Sequence, residues 1–409
     1  MISGKRTAVT TVIGILVTIT LGMFYAWSVF IIPLTEQFDK SVSEVSSVYT
    51  IQMLSFCAGG VINGRFQNKG SRLALTMSIS ALLMGCGFIM NGLAGSLTSI
   101  YISYGILFAM GVGIGYGSVL NAVVGWFPEK KGFFTGILLM GYGTGSLIWS
   151  TLCTGLMESA GLRSIFIAIG IVFIIVIGGG GLILDNFNER IKALKDRQSD
   201  DGERISSVAV DMKPSQMIKT PIFYLFYLWL FFYAVCGQAF ISNISPMAVS
   251  LGGAGMTAAV IVGVTAVFNG FGRIIIGAML DRIKMTVMML VLSLYLVCML
   301  AVLMTAMKAG NLVLFTIGAL GMGISFSGIP ISMAIFVADT WGMKYYASNY
   351  SVANTNMIPQ SLIGVMLFTK IVGNTGSYID GFWLLMLFAV LLVISTVLIM
   401  KVRKNEQDI

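Results

Sequence analysis

The sequence predicts an all-α membrane protein in which twelve transmembrane helices form two six-helix halves. Of the 409 residues, 57% are hydrophobic and only 10% are charged, and the mean hydropathy is +0.91. Charged residues approach a quarter of an ordinary soluble domain, so this composition excludes that class. Twelve spans of about 20 residues need roughly 240 residues, which leaves room for short connections and one longer insertion.

Charged residues divide the chain into ten apolar segments, and two of these are too long for a single span. Residues 73–128 are interrupted by a polar, glycine-rich turn at 91–96, and residues 220–272 by a second such turn at 252–255. Dividing both segments predicts twelve helices, which are numbered spans 1 to 12. Residues 7–35 are too long for the apolar region of a signal peptide and are interpreted as span 1.

The distribution of charge also predicts the domains and the topology. Residues 185–219 carry seven basic and seven acidic side chains, which is typical of a solvated linker. The predicted domains are therefore an N-terminal six-helix half at 1–184, this cytoplasmic charged linker at 185–219, and a C-terminal six-helix half at 220–409. With a cytoplasmic N-terminus, 20 of the 25 Lys and Arg residues lie on the inner side and four on the outer side. We therefore expect a multi-pass protein of the cell (inner) membrane with both termini in the cytoplasm.

Composition excludes several classes of function. The chain has no histidine, and its five cysteines all lie in apolar segments without CxxC spacing, so no metal site, disulfide framework or cofactor is predicted. The net charge of +8 is spread over loops, so the expected partner is the lipid bilayer and no nucleic acid. Because no acid, base or metal cluster falls within the spans, no catalytic residue is predicted and the chain is not expected to be an enzyme.

A short loop motif occurs once in each half. It consists of glycine, three residues, Asn or Asp, and then a cation. After span 2 the motif consists of Gly64, Asn68 and Lys69, and Arg72 follows it. After span 8 it consists of Gly277, Asp281 and Arg282. A repeat at corresponding loops indicates duplication of a six-helix unit, and we assign these residues to conformational change.

Glycine-rich motifs in spans 4 and 5 extend this pattern. They read Gly-Val-Gly-Ile-Gly-Tyr-Gly at 111–117, Trp-Phe-Pro-Glu-Lys-Lys-Gly at 126–132 and Gly-Tyr-Gly-Thr-Gly at 141–145, and the second half adds Asn-Gly-Phe-Gly-Arg at 269–273 and Asn-Tyr at 349–350. With these motifs the chain resembles the major facilitator superfamily over essentially its whole length. Within that superfamily it resembles the oxalate/formate antiporter family and its monocarboxylate transporter relatives. The resemblance implies the major facilitator fold and secondary transport by alternating access of two halves.

Arg273 is the one Lys or Arg that falls within a span. It lies seven residues before the cytoplasmic end of span 8, about 10 Å along the helix axis, which is too deep for easy snorkelling. A charge near mid-helix costs about 2.5–3.5 kcal/mol, and no acidic residue lies deep in a span. We therefore predict that Arg273 binds an anionic substrate through paired hydrogen bonds, the alternative being that it caps helix carbonyls. The resemblance implies the same role for Arg273. Asn269 lies one turn earlier on the same helical face, from which it can donate a second hydrogen bond to the substrate.

The resemblance implies further substrate-binding positions in the first half. Tyr25, Tyr116 and Tyr142 stand at aromatic positions of the family on spans 1, 4 and 5, where a phenol could pack against a substrate and donate to it. Helix packing or an interfacial position would also explain a tyrosine in a span.

In the second half, several positions depart from the oxalate exchangers. Met357, with Asn354 nearby, stands where those exchangers have a second cation on span 11, and Met322 and Phe326 stand on span 10 where Trp and Tyr are expected. Gln238 on span 7 is polar enough to join the substrate path, although interhelical hydrogen bonding is the more common explanation for such a residue.

A single cation favours a substrate with a single carboxylate, because two carboxylates would need roughly two cationic partners. We therefore predict a secondary active transporter of a small organic monocarboxylate such as lactate, pyruvate or formate, which functions as a monomer. Two alternatives are a carrier of a bulkier organic anion such as a bile salt and a membrane sensor that does not transport. Because the spans contain no His, Asp or Glu, anion exchange is favoured, with proton-coupled symport as the alternative.

Overall fold

The computed structural model describes residues 4–41, 44–45, 47–127, 130–200, 211–253 and 255–407. Within these ranges the chain is helical and has no strand. In the same ranges, ten helices are long and apolar enough to cross a membrane. The predicted all-α membrane fold is confirmed.

The first six spans include several irregular helices. Span 1 comprises Gly4–Leu21, a 3₁₀ turn at Gly22–Ala26 and Ser28–Phe38. Span 2 is Val48–Asn68 and span 3 is Leu73–Gly92. Span 4 comprises Leu97–Ile100, a π-helical stretch at Tyr101–Phe108 and Ala109–Trp126. Spans 5 and 6 occupy one helical run of Lys131–Phe173, Ile174–Gly178 and Gly179–Asp200. Gly161 separates them, because its backbone φ of 72° and ψ of 154° interrupt the helix.

Spans 7 to 12 begin after a short helix at Pro214–Met217. Span 7 is Pro221–Ile241 with Ile244–Ser250, and spans 8, 9 and 10 are Gly255–Leu280, Met285–Ala309 and Leu312–Trp341. Span 11 consists of four pieces, Tyr346–Asn354, Met357–Pro359, Gln360–Val365 and Met366–Thr375. Span 12 is Tyr378–Gln407. Spans 2 and 11 are the two predicted spans absent from the ten apolar helices of the described ranges. Span 2 contains buried Gln52 and Asn63, and span 11 is divided into short pieces.

The contacts divide the chain into two compact units. The first unit comprises Met1–Lys213 with Val337–Val352, and the second comprises Pro214–Phe336 with Ala353–Ile409. The first unit therefore includes the end of span 10 and the start of span 11. Within it, the Ser351 hydroxyl donates to the Gly60 carbonyl at 2.6 Å.

The predicted linker at 185–219 is partly helical. The helix of span 6 continues through Asp200. Asp185 is buried, and its carboxylate accepts hydrogen bonds from Arg72 and from the backbone N–H of Ala74. Residues 201–210 lie outside the described residues. The domain boundaries at 184 and 220 stay a prediction.

Glycines bring neighbouring helices of the first unit into backbone contact. A Cβ atom at Gly22 of span 1 would lie 2.9 Å from the Cα of Gly145 on span 5. A Cβ at Gly113 of span 4 would collide with the Phe56 carbonyl oxygen of span 2 and lie 3.0 Å from the Gly60 nitrogen. Because lipid supplies no hydrophobic force between helices, such close packing supplies much of their attraction.

We predict that Gly113→Ala destabilises the protein. The added methyl would overpack the crossing of spans 2 and 4, at a cost of roughly 1–3 kcal/mol. The measurement is the thermal unfolding midpoint of the purified protein in detergent. Gly155→Ala is the matched control, since a Cβ there would meet nothing within 4 Å. Equal midpoints for Gly113→Ala and the control would refute the close crossing.

Candidate functional site

The three tyrosines predicted for the first half lie together in the first unit. The ring centroids of Tyr25 and Tyr142 are 5.4 Å apart, and those of Tyr116 and Tyr142 are 4.8 Å apart. Tyr25 is 40% exposed, whereas Tyr116 and Tyr142 are buried. These three residues, with Tyr350 described below, are called the tyrosine cluster.

An irregular turn of span 1 carries Tyr25. The 3₁₀ turn at Gly22–Ala26 includes Phe24, whose carbonyl accepts a hydrogen bond from the side-chain amide of Gln52 at 2.6 Å. The Phe24 ring also packs against Phe56, at a centroid distance of 4.8 Å, and Phe56 packs against Tyr116 at 5.7 Å. Span 2 therefore supports the turn of span 1 and the ring of Tyr116.

Tyr350 also belongs to the tyrosine cluster, although it is not among the predicted site residues. Its hydroxyl oxygen lies 3.2 Å from that of Tyr116, and its side chain is only 3% exposed. It belongs to residues 337–352, which pack in the first unit. The sequence gives the motif at 349–350 but no signal that residues 116 and 350 meet.

Arg273 and Asn269 lie on the less exposed face of span 8, within the second unit. Both are half-buried and continue a stripe of buried residues that includes Thr265 and Ile276. The opposite face carries Phe271, which is 59% exposed. The predicted shared face of Asn269 and Arg273 is therefore present.

Span 10 packs directly on this part of span 8. A Cβ at Gly323 would lie 2.5 Å from the Thr265 carbonyl oxygen and 3.4 Å from the Asn269 nitrogen. Three residues later, the Phe326 ring fills the space beside Gly237 of span 7, so spans 7, 8 and 10 meet at this level. Met322 is fully buried in the helix packing.

Span 11 is broken between Asn354 and Met357, the two residues of this span that are predicted to contact the substrate. The Asn356 amide donates to the Tyr227 carbonyl of span 7 at 2.8 Å, and the Tyr227 hydroxyl lies 3.2 Å from that of Thr355. Asn354 is buried and Met357 is half-buried. Pro359 is the sequence signal for this break, because a proline inside a helix cannot donate to the carbonyl four residues earlier, here Thr355, and its ring clashes with that carbonyl.

Gln238 of span 7 is half-buried, and its side chain makes no hydrogen bond with the described residues. Interhelical hydrogen bonding, the alternative explanation for Gln238, is therefore absent from the described part of the chain.

The two loop motifs make different contacts. In the first, Asn68 donates to the Ser348 hydroxyl at 2.9 Å, and Arg72 pairs with Asp185 at 2.8 Å. A Cβ at Gly64 would lie 2.6 Å from the Ser348 Cα, so this glycine permits a close approach. The Lys69 backbone N–H ends span 2 by donating to the Arg65 carbonyl at 3.2 Å.

In the second motif, the Asp281 backbone N–H donates to the Gly277 carbonyl at 3.3 Å, and that of Arg282 donates to Met279 at 3.0 Å. The second motif therefore ends span 8 through backbone hydrogen bonds.

Residues 12–358 match the sequence profile of the Major Facilitator Superfamily. The chain belongs to this superfamily. Members of the superfamily are transporters and not enzymes, which confirms the prediction that the chain is not an enzyme.

Two curated relatives span most of the chain. The uncharacterized MFS-type transporter YhjX of Escherichia coli (strain K12) is 27% identical over 352 residues, which cover 85% of this chain and 84% of that relative. The oxalate:formate antiporter of Oxalobacter formigenes is 27% identical over 361 residues, covering 87% and 82%. The solved structure of the proton:xylose symporter XylE matches with a TM-score of 0.71 at 14% identity, covering 96% of this chain and 94% of that one. The twelve-helix major facilitator fold is confirmed.

Proposed function

We propose that this protein is a secondary active transporter of a small organic monocarboxylate, such as lactate, pyruvate or formate, with Arg273 as the residue that binds the carboxylate. The observation that carries this proposal is the position of Arg273 on the half-buried face of span 8, beside Asn269 and far from both helix ends. Charged residues at such depth generally mark transport paths. A planar guanidinium can hold a carboxylate through two parallel hydrogen bonds.

A substrate with one carboxylate fits the charge of the spans better than one with two. Arg273 is the one cation that the sequence places within a span, and Met357 stands at the span 11 position where a second cation is expected. A dicarboxylate bound by a single guanidinium would carry an uncompensated buried charge, which is costly. This distinguishes the proposed substrate from the oxalate named for the Oxalobacter relative.

The packing of the tyrosine cluster also favours an anion over an organic cation. Ring centroids 4.8 and 5.4 Å apart mean that these rings contact one another and leave no space for a cation between them. The rings of the cluster therefore pack on one another and are not arranged around a space that could hold a cation. Its hydroxyl groups can donate hydrogen bonds to a carboxylate, and we propose substrate contact for Tyr25, Tyr116 and Tyr142.

The remaining proposals concern the position of the protein in the membrane. We propose that it resides as a monomer in the cell membrane with both termini cytoplasmic, since Lys and Arg concentrate on one set of loops. The halves at 1–184 and 220–409 would then alternate access, and the two loop motifs would take part in that change.

Arg273→Lys is expected to weaken transport, and Arg273→Gln to nearly abolish it, because lysine keeps the charge without the planar fork and glutamine loses both. The measurement is counterflow of labelled lactate, pyruvate and formate in proteoliposomes, with a bile salt as the bulky competitor. Arg163→Gln, at an exposed arginine two residues after the break at Gly161, is the control and should behave like the parent. If folded Arg273→Gln shows saturable uptake at the parental rate, Arg273 does not bind the carboxylate of the substrate.

Tyr116→Phe is expected to raise the apparent KM by at most about tenfold, because it removes one hydroxyl worth about 0.5–1.5 kcal/mol. Tyr116→Ala should impair transport more strongly, since the ring packs against Tyr142 and Phe56. Tyr224→Ala, at an exposed position, is the matched control. Parental kinetics in Tyr116→Ala would assign this ring to helix packing alone.

Transport is expected to proceed by exchange of anions. The sequence places no His, Asp or Glu within the spans, so no side chain there can carry a proton near neutral pH in place of a returning anion. The test compares vesicles with and without internal monocarboxylate at equal pH, and then imposes a proton gradient on empty vesicles. Acceleration by internal substrate is the expected result. Uptake into empty vesicles driven by the pH gradient alone would instead establish proton-coupled symport.

A further inference from the structure

Asn269 differs from several amides that lie buried among the described helices. Several of those use one end of the amide in a hydrogen bond between helices: Gln52 donates to Phe24, Asn63 accepts from Ser118, and Asn356 donates to Tyr227. The Asn269 side chain makes no hydrogen bond with any described residue, and its Oδ1 atom is buried. Its amide therefore plays no part in holding the described helices together.

An amide oxygen buried without a partner is costly. Leaving such a group unsatisfied destabilises a protein by roughly 1–3 kcal/mol, and native structures leave few of them. The backbone of span 8 is held against span 10 at this position, because Gly323 packs on the Thr265 carbonyl and on the backbone nitrogen of Asn269. A group held in place at this cost is explained when a ligand or a bound water supplies its partner.

The neighbouring Arg273 indicates which ligand could do so. Residues four apart on a helix have Cβ atoms about 5–6 Å apart, so both side chains can contact one small molecule. A carboxylate held by Arg273 brings the substituent on its C2 atom within reach of Asn269. An amide carries both donors and an acceptor, so it can donate to a carbonyl oxygen or exchange hydrogen bonds with a hydroxyl group.

We infer that Asn269 recognises an oxygen atom on C2 of the substrate, so that the protein prefers 2-hydroxy and 2-oxo monocarboxylates to unsubstituted acids; this rests on the proposed function. Lactate and pyruvate satisfy the amide. Propionate, which has the same carbon chain without that oxygen, leaves the amide without a partner and is disfavoured. Formate has no C2 atom and makes no such contact.

The experiment measures the binding of lactate, pyruvate and propionate to the purified protein, by ligand-induced shifts in thermal stability, and their competition in counterflow. In the parent, lactate and pyruvate should bind about tenfold more tightly than propionate, equivalent to about 1.4 kcal/mol. Asn269→Leu should bring this ratio close to one, because the variant has no amide to satisfy or to leave unpaired. Asn269→Ser, which restores a hydroxyl group, should recover part of the preference.

The control is Asn374→Leu, at an exposed position of span 11, which should keep the tenfold ratio. Equal affinities for lactate and propionate in the parent would overturn the inference while leaving the monocarboxylate function intact. A tenfold preference that survives in Asn269→Leu would also overturn it. If Asn269→Leu does not fold, the ratio in Asn269→Ser decides, and a full parental ratio there counts against the inference. If none of the three acids binds to the parent, the proposed function and this inference both fail.

Discussion

Direct contact between helix backbones at glycine residues is the constraint on which the positions of the site residues depend. Tyr25 lies three residues after Gly22, Tyr116 three after Gly113, and Tyr142 three before Gly145, and these glycines form the crossings of spans 1 with 5 and 2 with 4. In the second unit, Arg273 follows Gly272 and Phe326 lies three residues after Gly323. Each side chain is thus within one helical turn of a point where two backbones touch. Such points have little freedom to shift, so the adjacent side chains keep defined directions.

Buried polar side chains connect helices within both units; in the second, the Asn356 amide donates to the Tyr227 carbonyl. In the first unit, paired amides and hydroxyls connect the helices, as Asn63 does with Ser118 and Asn121 with Gln67. The buried carboxylate of Asp185 is also matched, by Arg72 and by the first turn of span 3. These bonds stabilise the packing and leave those polar groups committed to structure. The Asn269 amide is uncommitted among the described residues, and this contrast distinguishes a group suited to a ligand from one that holds helices together.

The sequence was sufficient for the order of the spans, because charges and glycine-rich turns are local signals. Span 3 ends at Gly92 and span 4 begins at Leu97, as the turn at 91–96 predicts. The irregular regions were not predictable in the same way. The 3₁₀ turn of span 1 is supported by the distant residue Gln52, and Tyr350 contacts Tyr116 from 234 positions away. Contacts of this kind depend on tertiary packing and leave no periodicity in the sequence.

Span 11 belongs to both units, since its residues through Val352 are grouped with the first and those from Ala353 with the second. Its helical backbone is interrupted at Thr355 and Asn356, only three residues beyond that division. Interrupting the hydrogen-bond ladder lowers the cost of bending a helix, so bending here costs less than in an intact helix. The bonds to Tyr227 replace part of the lost ladder and fix where the interruption occurs. Met357, which stands at the position of the second cation in the oxalate exchangers, therefore lies directly after this interruption, and a charge there would have to be held beside an irregular part of the span.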